Sequence, residues 1–234
     1  MTAALKLLIV TADDFGISHG INRGVIEAHG RGILTSTSLL VNRPAAEQAA
    51  ALGRAYPALS IGLHLELDPD GPPASVPTEL ERQLARFVQL VGTTPTHVDS
   101  HHDVHRDPRV LPEVRAWARR VGVPVRGYSR VRHFSKFYGQ WGGESHPEQI
   151  GVPGLVRLLD AAFADGEGGK GGSVTELTCH PGYVEPGFTS SYAAEREIEL
   201  RTLCEPEVRH ALEERGIRLI GFRDLPSTAR EDAA

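Results

Sequence analysis

Apolar runs of strand length alternate with longer stretches of helical period along almost the whole chain, and this alternation restricts the fold more than any other feature. The strand-like runs are LKLLIVTA, LTSTSLLV, LSIGLHLEL, PTHVDSH, VPVRGY, SVTELTCH and IRLIGFRD. Between them SHGINRGVIEAHGRG, AAEQAAALGRAYP, PTELERQLARFVQLVG, PRVLPEVRAWARRVG and YAAEREIELRTLCEPEVRHALEERG space apolar residues three and four apart, and several close on glycine. Parallel strands need a crossover of a dozen or more residues, so the pattern predicts an α/β chain: about seven parallel strands with helices on the outside, close to the complement of a barrel. At 234 residues it is expected to form a single domain over residues 1–226. FSKFYGQWGGESHPEQIGVPG and DGEGGKGGS read as long loops within it, and residues 227–234, which lack an apolar face, as a disordered tail.

Charge and cysteine usage narrow the function. Lys+Arg 25 against Asp+Glu 30 gives a formal charge of −5, with no basic footprint for nucleic acid. The apolar start of MTAALKLLIVTADD is too short for a membrane span or a secretory leader and runs into two aspartates, which favours a first strand. The two cysteines, Cys179 and Cys204, have no paired metal spacing; a reduced, cytoplasmic setting without a disulfide is expected.

In a parallel barrel the reactive groups collect where the strands end. Asp13 and Asp14 follow the first apolar run, His64 lies late in the third, His101 ends the fourth and His180 ends the sixth. Four of the 11 histidines fall within Thr96–His105, where such polarity requires either solvent or a partner. Strand parity puts Gly62, His64 and Glu66 on one face, and His97, Asp99 and His101 on one face opposite Val98. With the aliphatic sets packed on helices, His64 and His101 point into the barrel mouth, where the small Gly62 leaves room. Asp14, His64 and His101 then make a divalent metal site with open positions. Asp13 is placed to take a proton from water, His180 to protonate a leaving amine, and Asp99 to orient a histidine.

Simpler roles compete at each position. Asp13 or Asp14 could cap the following helix, although Ser18 offers a cap of its own. His64 could be a hydrogen-bonded core histidine, and His102 and His105 surface or supporting residues. Cys179 faces away from its neighbour His180 and reads as packing. Phe15, Tyr128, Phe137, Tyr138, Trp141 and Tyr183 fall in or near loops where a sugar could stack, and Arg126 and Arg130 could meet an anionic group. Two histidines and a carboxylate are also the triad of non-haem iron oxygenases, which take them from antiparallel double sheets.

The blocks TADDFGISHGINRGVIEAHGRGILTSTSLLVN, IGLHLEL, PTHVDSHHDVH and ELTCHPGY, in this order, resemble the YdjC family of carbohydrate deacetylases, over nearly the whole chain. The resemblance implies a distorted (β/α) barrel related to NodB-type deacetylases. It also implies one divalent ion, Mg²⁺ or Zn²⁺, an N-acetylated amino-sugar substrate and, in some members, a homodimer. Matched residue by residue it gives Asp13 as base, Asp14, His64 and His101 as ligands and His180 as acid. The chain departs from the family in two places. Asp103 stands where members commonly carry the third histidine of Asp-Ser-His-His-His-Val-His, and the connection between GLHL and THVDSH is compact. Asp103 and His105 are weak candidates for a supporting or substrate-contacting role, and the Asp103 change leaves room for a sugar-binding or regulatory protein on an inactive barrel.

Overall fold

The computed structural model describes residues 5–164 and 174–225. The strands are β1 (Lys6–Phe15), β2 (Ser36–Leu39), β3 (Ser60–Leu65), β4 (Val98–Ser100), β5 (Arg132–Phe134), β6 (Gln140–Trp141), β7 (Glu144–Ser145), β8 (Val174–Cys179) and β9 (Ile217–Leu219). The helices are α1 (His19–Arg31), α2 (Ala46–Ala55), α3 (Val76–Val91), α4 (Leu111–Val121), α5 (Pro147–Ile150), α6 (Val152–Ala162), α7 (Ala194–Cys204) and α8 (Pro206–Glu214). Among the described residues seven strands form one parallel sheet in the order β4-β3-β2-β1-β8-β5, with β9 on the first residues of β1. Val125 bridges to Val98 outside β4, while Arg132 already lies against Thr175 of β8. The short segment between them crosses from one sheet edge to the other, so the sheet curls into a half-barrel.

Parity explains the two faces. Leu8, Val10 and Ala12 of β1 join Leu63, Leu65, Val98, Leu177 and Cys179 in the large core beneath the helices. Ile9 faces the barrel interior with Val131, Val174, Phe222 and Leu225, forming an apolar floor. Above that floor the interior turns polar: Thr11, Ser36, Ser38, His64, His97, Asp99 and Glu176 are all buried. Both faces of β1 are thus covered, which is why residues 7–10 read as an apolar run without alternation. Gly62 serves packing more than open space, because a Cβ there would meet the His97 ring at 2.4 Å.

Six of the seven expected strands are present, and VPVRGY contributes only the Val98–Val125 bridge. Ser18 caps α1, its hydroxyl accepting from the Ile21 amide at 3.2 Å. The last helical stretch divides at Pro206 into α7 and α8, since proline cannot continue the hydrogen-bond ladder. FSKFYGQWGGESHPEQIGVPG is more ordered than a loop: it holds the end of β5, the β6–β7 hairpin and α5. The sequence expectation also leaves out α6, although Leu155, Leu158, Leu159 and Ala162 stand at helical spacing; the Gly-rich runs around it obscure the period. The expected DGEGGKGGS loop and the 227–234 tail lie outside the described residues. Among those described, no helix is long and apolar enough to cross a membrane.

Candidate active site

The C-terminal ends of the strands surround a cleft of about 650 Å³ lined by Asp13, Asp14, His64, His101, Arg126 and His180, among others. Parity alone would send Asp13 and Asp14 to opposite faces. They share the cleft because the β1–β2 register slips between Ala12 and Phe15 and Asp14 adopts φ 66°, a left-handed conformation rare outside glycine. Backbone strain of this kind, of order 1–3 kcal/mol, persists where the surroundings over-determine it. Here Arg196 from α7 holds Asp14 Oδ2 at 2.5 Å.

The other carboxylate oxygen, Asp14 Oδ1, is buried with no hydrogen-bond donor aligned on it. It lies 3.1 Å from His101 Nδ1 and 3.6 Å from His64 Nε2. These three atoms fall within 4.8 Å of one another. His64 Nδ1 is 2.7 Å from Asp99 Oδ1 and 3.2 Å from Ser38 Oγ, so its proton belongs on that side and Nε2 is left to face Asp14. Two imidazole nitrogens, a carboxylate oxygen without a donor and an opening to the cleft fit a divalent cation. Burial opposes the His64 charge, but without a cation Asp99, Asp13 and Asp14 outweigh it and push its pKa up to about 9, so a divalent cation would bind Nε2 by displacing its proton. Burial likewise opposes the Asp14 charge, while His101, Arg196, His180 and His64 hold the carboxyl well below its usual range.

Two further groupings, Asp13–His64–Asp99 and His97–Asp99–Glu176, also bring ligand atoms together. Their anionic charge is already answered by Arg126. This buried guanidinium reaches Asp13 at 2.7 and 2.8 Å, Asp99 Oδ2 at 2.6 Å and Glu176 Oε1 at 3.0 Å. Burial works against the Asp13 charge, and Arg126 more than offsets it, so the carboxyl is held below its ordinary value.

His180, half-buried at the end of β8, has its amide bound to Glu199 Oε2, and its ring stands 5.5 Å from Tyr192 and 5.8 Å from Tyr138. Its Nδ1 is buried without a partner, and burial pulls the ring's pKa below its ordinary value. Tyr192 also bonds Glu199 and stacks on Tyr138 at 4.4 Å.

The structure thus gathers Asp13, Asp14, His64, His101 and His180 on one cleft, with Asp99 beneath His64. Three weaker expectations change, those for Phe15, Tyr183 and Arg126, while His105 takes the supporting one of its expected roles. Phe15 is fully buried in the main core and cannot stack on a ligand. Tyr183 is exposed outside the cleft, where its hydroxyl bonds Glu27 under the Arg23 guanidinium. His105 is buried and braces the floor, with Nδ1 2.7 Å from Ser100 Oγ and Nε2 3.2 Å from the Arg126 carbonyl. Arg126 lines the cleft, but its three carboxylate partners occupy the fork expected to meet an anionic substrate. Asp103 does line the cleft, with Oδ1 3.5 Å from Arg106 Nε.

Sequence reasoning missed Ser38, His133, Glu176, Tyr192, Arg196 and Glu199. Glu176 alone left a signal, since it shares strand parity with His180. Arg196 and Glu199 sit on a helix so rich in charge that inward and outward positions read alike.

Comparison with known proteins shows the family of the chain and its fold. The model of the YdjC-like protein family matches residues 7–78 and 68–214. A chitooligosaccharide deacetylase of Serratia marcescens is 36% identical over 260 residues, covering 94% of this chain and 99% of its own length. A carbohydrate deacetylase of Geobacillus stearothermophilus is 35% identical, covering 94% of this chain and 98% of its own. Among solved structures, a protein of Enterococcus faecalis V583 described as a candidate cellobiose-phosphate cleavage protein superposes with a TM-score of 0.79 at 29% identity, covering 93% of this chain and 98% of that one. A peptidoglycan N-acetylglucosamine deacetylase shares the fold at a TM-score of 0.62 and 14% identity, covering 98% of this chain and 91% of that one. With matches along almost the whole chain, it belongs to the YdjC-like protein family.

Proposed function

We propose that the cleft removes an N-acetyl group from an amino sugar or chitooligosaccharide by hydrolysis, with Asp14, His64 and His101 holding a divalent cation. The observation that carries this reading is the convergence of Asp14 Oδ1, His64 Nε2 and His101 Nδ1 within 4.8 Å of one another, beside Asp13. The deacetylase names of the relatives at about 35% identity support the substrate class. A divalent cation at such a site acidifies water and stabilises the oxyanion that develops on the amide carbonyl.

Asp13 is the general base. Its two bonds to Arg126 fix the carboxylate plane and keep it ionised, leaving lone pairs on the cleft side to accept a proton. As a carboxylate held in place, it is positioned to take a proton from the attacking water. His180 is the general acid. A ring whose pKa burial has lowered is a ready donor once protonated, and the amine nitrogen needs that proton as the carbon–nitrogen bond breaks. One proton goes to Asp13 and one leaves His180, so proton exchange between the two resets the site.

The experiment is acetate release from N-acetylated mono- and oligosaccharides by protein loaded with Mg²⁺ or Zn²⁺. Asp13→Asn is expected to lower kcat by about 10²–10⁴ while keeping the bound metal. His64→Ala is expected to lose both metal and activity. Acetate release that persists in both variants would overturn the reading, and sugar binding without turnover in the loaded wild type would favour a retired barrel.

A further inference from the structure

His133, on β5, forms part of the cleft wall, and the reaction above does not use it. Arg106 Nη2 lies 2.6 Å from His133 Nδ1. A guanidinium has donors only, so Nδ1 accepts and the single ring proton of a neutral imidazole sits on Nε2. Burial, Arg126 and Arg106 all oppose a second proton and pull the pKa down to about 4. Arg106 packs over the backbone at Gly127, where a Cβ would stand 3.2 Å from Nη2, and its Nε faces the Asp103 carboxylate at 3.5 Å as a half-exposed ion pair. On the other side of the ring, Nε2 is 3.5 Å from Thr178 Oγ1, a contact too long to use the donor well, and Thr178 also lines the cleft. Asp103, Arg106 and His133 therefore form a relay that leaves one oriented N–H at the cleft wall.

We propose that His133 is a substrate-binding residue that donates a hydrogen bond from Nε2 to a hydroxyl of the bound amino sugar, with Arg106 and Asp103 as positioning residues that fix its tautomer. The proposal rests on the deacetylase reading for the identity of the ligand. It gives the departure at Asp103 a physical role, since a carboxylate there sets a counter-charge beside Arg106 that a neutral histidine would not.

The test uses full-length, metal-loaded protein and an N-acetylated chitooligosaccharide. Long-range ¹H–¹⁵N spectra of the imidazoles, with His133 assigned through His133→Gln, are expected to show the Nε2–H tautomer at neutral pH and a shift of that signal when sugar is added. Arg106→Ala is expected to mix the tautomers. In kinetics, His133→Phe is expected to raise KM about tenfold, as for loss of one neutral hydrogen bond, with kcat within about threefold. His133→Gln should restore most of the KM, because its amide N–H reaches the place of Nε2–H. An Nδ1–H tautomer in the wild type, an unchanged KM in His133→Phe, or no recovery in His133→Gln would each overturn the proposal. Absence of acetate release by the wild type would instead defeat the deacetylase reading; an Nε2 signal that sugar leaves unmoved would then still overturn the role of His133.

Discussion

With Asp13, Asp99 and Glu176 all reaching the guanidinium of Arg126, removal of that one cation strands three buried carboxylates. Breaking a buried ion pair from one side typically costs about 3–5 kcal/mol, so Arg126→Met is expected to lose at least that much in urea unfolding. Arg126→Lys should lose part of it, since an ammonium cannot span three partners with planar geometry. An Arg126→Met protein as stable as the wild type would show that the carboxylates pair elsewhere. Gly62→Ala is a smaller, independent case: its new methyl meets the His97 ring, and overpacking of this kind costs about 1–3 kcal/mol. Residues of the site differed in how legible they were. Asp14, His64 and His101 could be named as candidates because each falls late in or just after a strand-like run, and position along a parallel strand is itself information. The twist that turns Asp14 into the cleft left no trace, because it lies in a backbone angle and not in a residue type. Arg126 in VPVRGY read equally well as surface, since nothing nearby in sequence reveals three partners from distant strands.

At the scale of elements, α7 carries much of what the sequence hid. Its Arg196 reaches Asp14 and its Glu199 binds both the His180 amide and the Tyr192 hydroxyl, so one helix braces both sides of the cleft. Burial pushes the Glu199 pKa from its ordinary 4.5 up to about 8, against the opposing effect of its hydrogen bonds. The sign of the consequence follows from proton counting. Below pH 4.5 folded and unfolded chains both hold the proton. Between there and about pH 8 the unfolded chain has lost it and the folded chain has not, so this residue makes stability fall as pH rises, and the fall levels off above that window. Glu199→Gln should therefore flatten the decline between pH 6 and pH 8 when urea unfolding is followed across about that range, and parallel wild-type and variant curves would count against a protonated Glu199. The strands show the complementary lesson. Long runs such as β1 and β8 were legible because both faces are apolar or closely packed. The three-residue β5 was not: its side chains are only partly buried, and its pairing comes from β8, more than forty positions away.

For the molecule as a whole, the three candidate ligands come from the end of β1, from β3 and from the turn after β4, and only the curled sheet brings them together. The unfolded chain has no such site, so a cation that binds the native state adds stability by linkage, about 2.7 kcal/mol at a free concentration one hundred times Kd. For a chain of this size that corresponds to roughly 5–10 °C in unfolding temperature. The expected experiment is thermal unfolding after dialysis against a chelator, then after addition of Zn²⁺ or Mg²⁺. Zn²⁺ should give the larger shift, because two of the three donors are imidazole nitrogens and Mg²⁺ prefers oxygen. His101→Ala separates this linkage from packing. The His101 side chain is 23% exposed, whereas that of His64 is 2% exposed and tied to Asp99. The His101 variant should then unfold near the metal-free wild type without metal and gain little when metal is added, whereas His64→Ala should start lower. An equal Zn²⁺ shift in wild type and His101→Ala would place the cation elsewhere and remove the physical basis for reading this cleft as a hydrolytic centre.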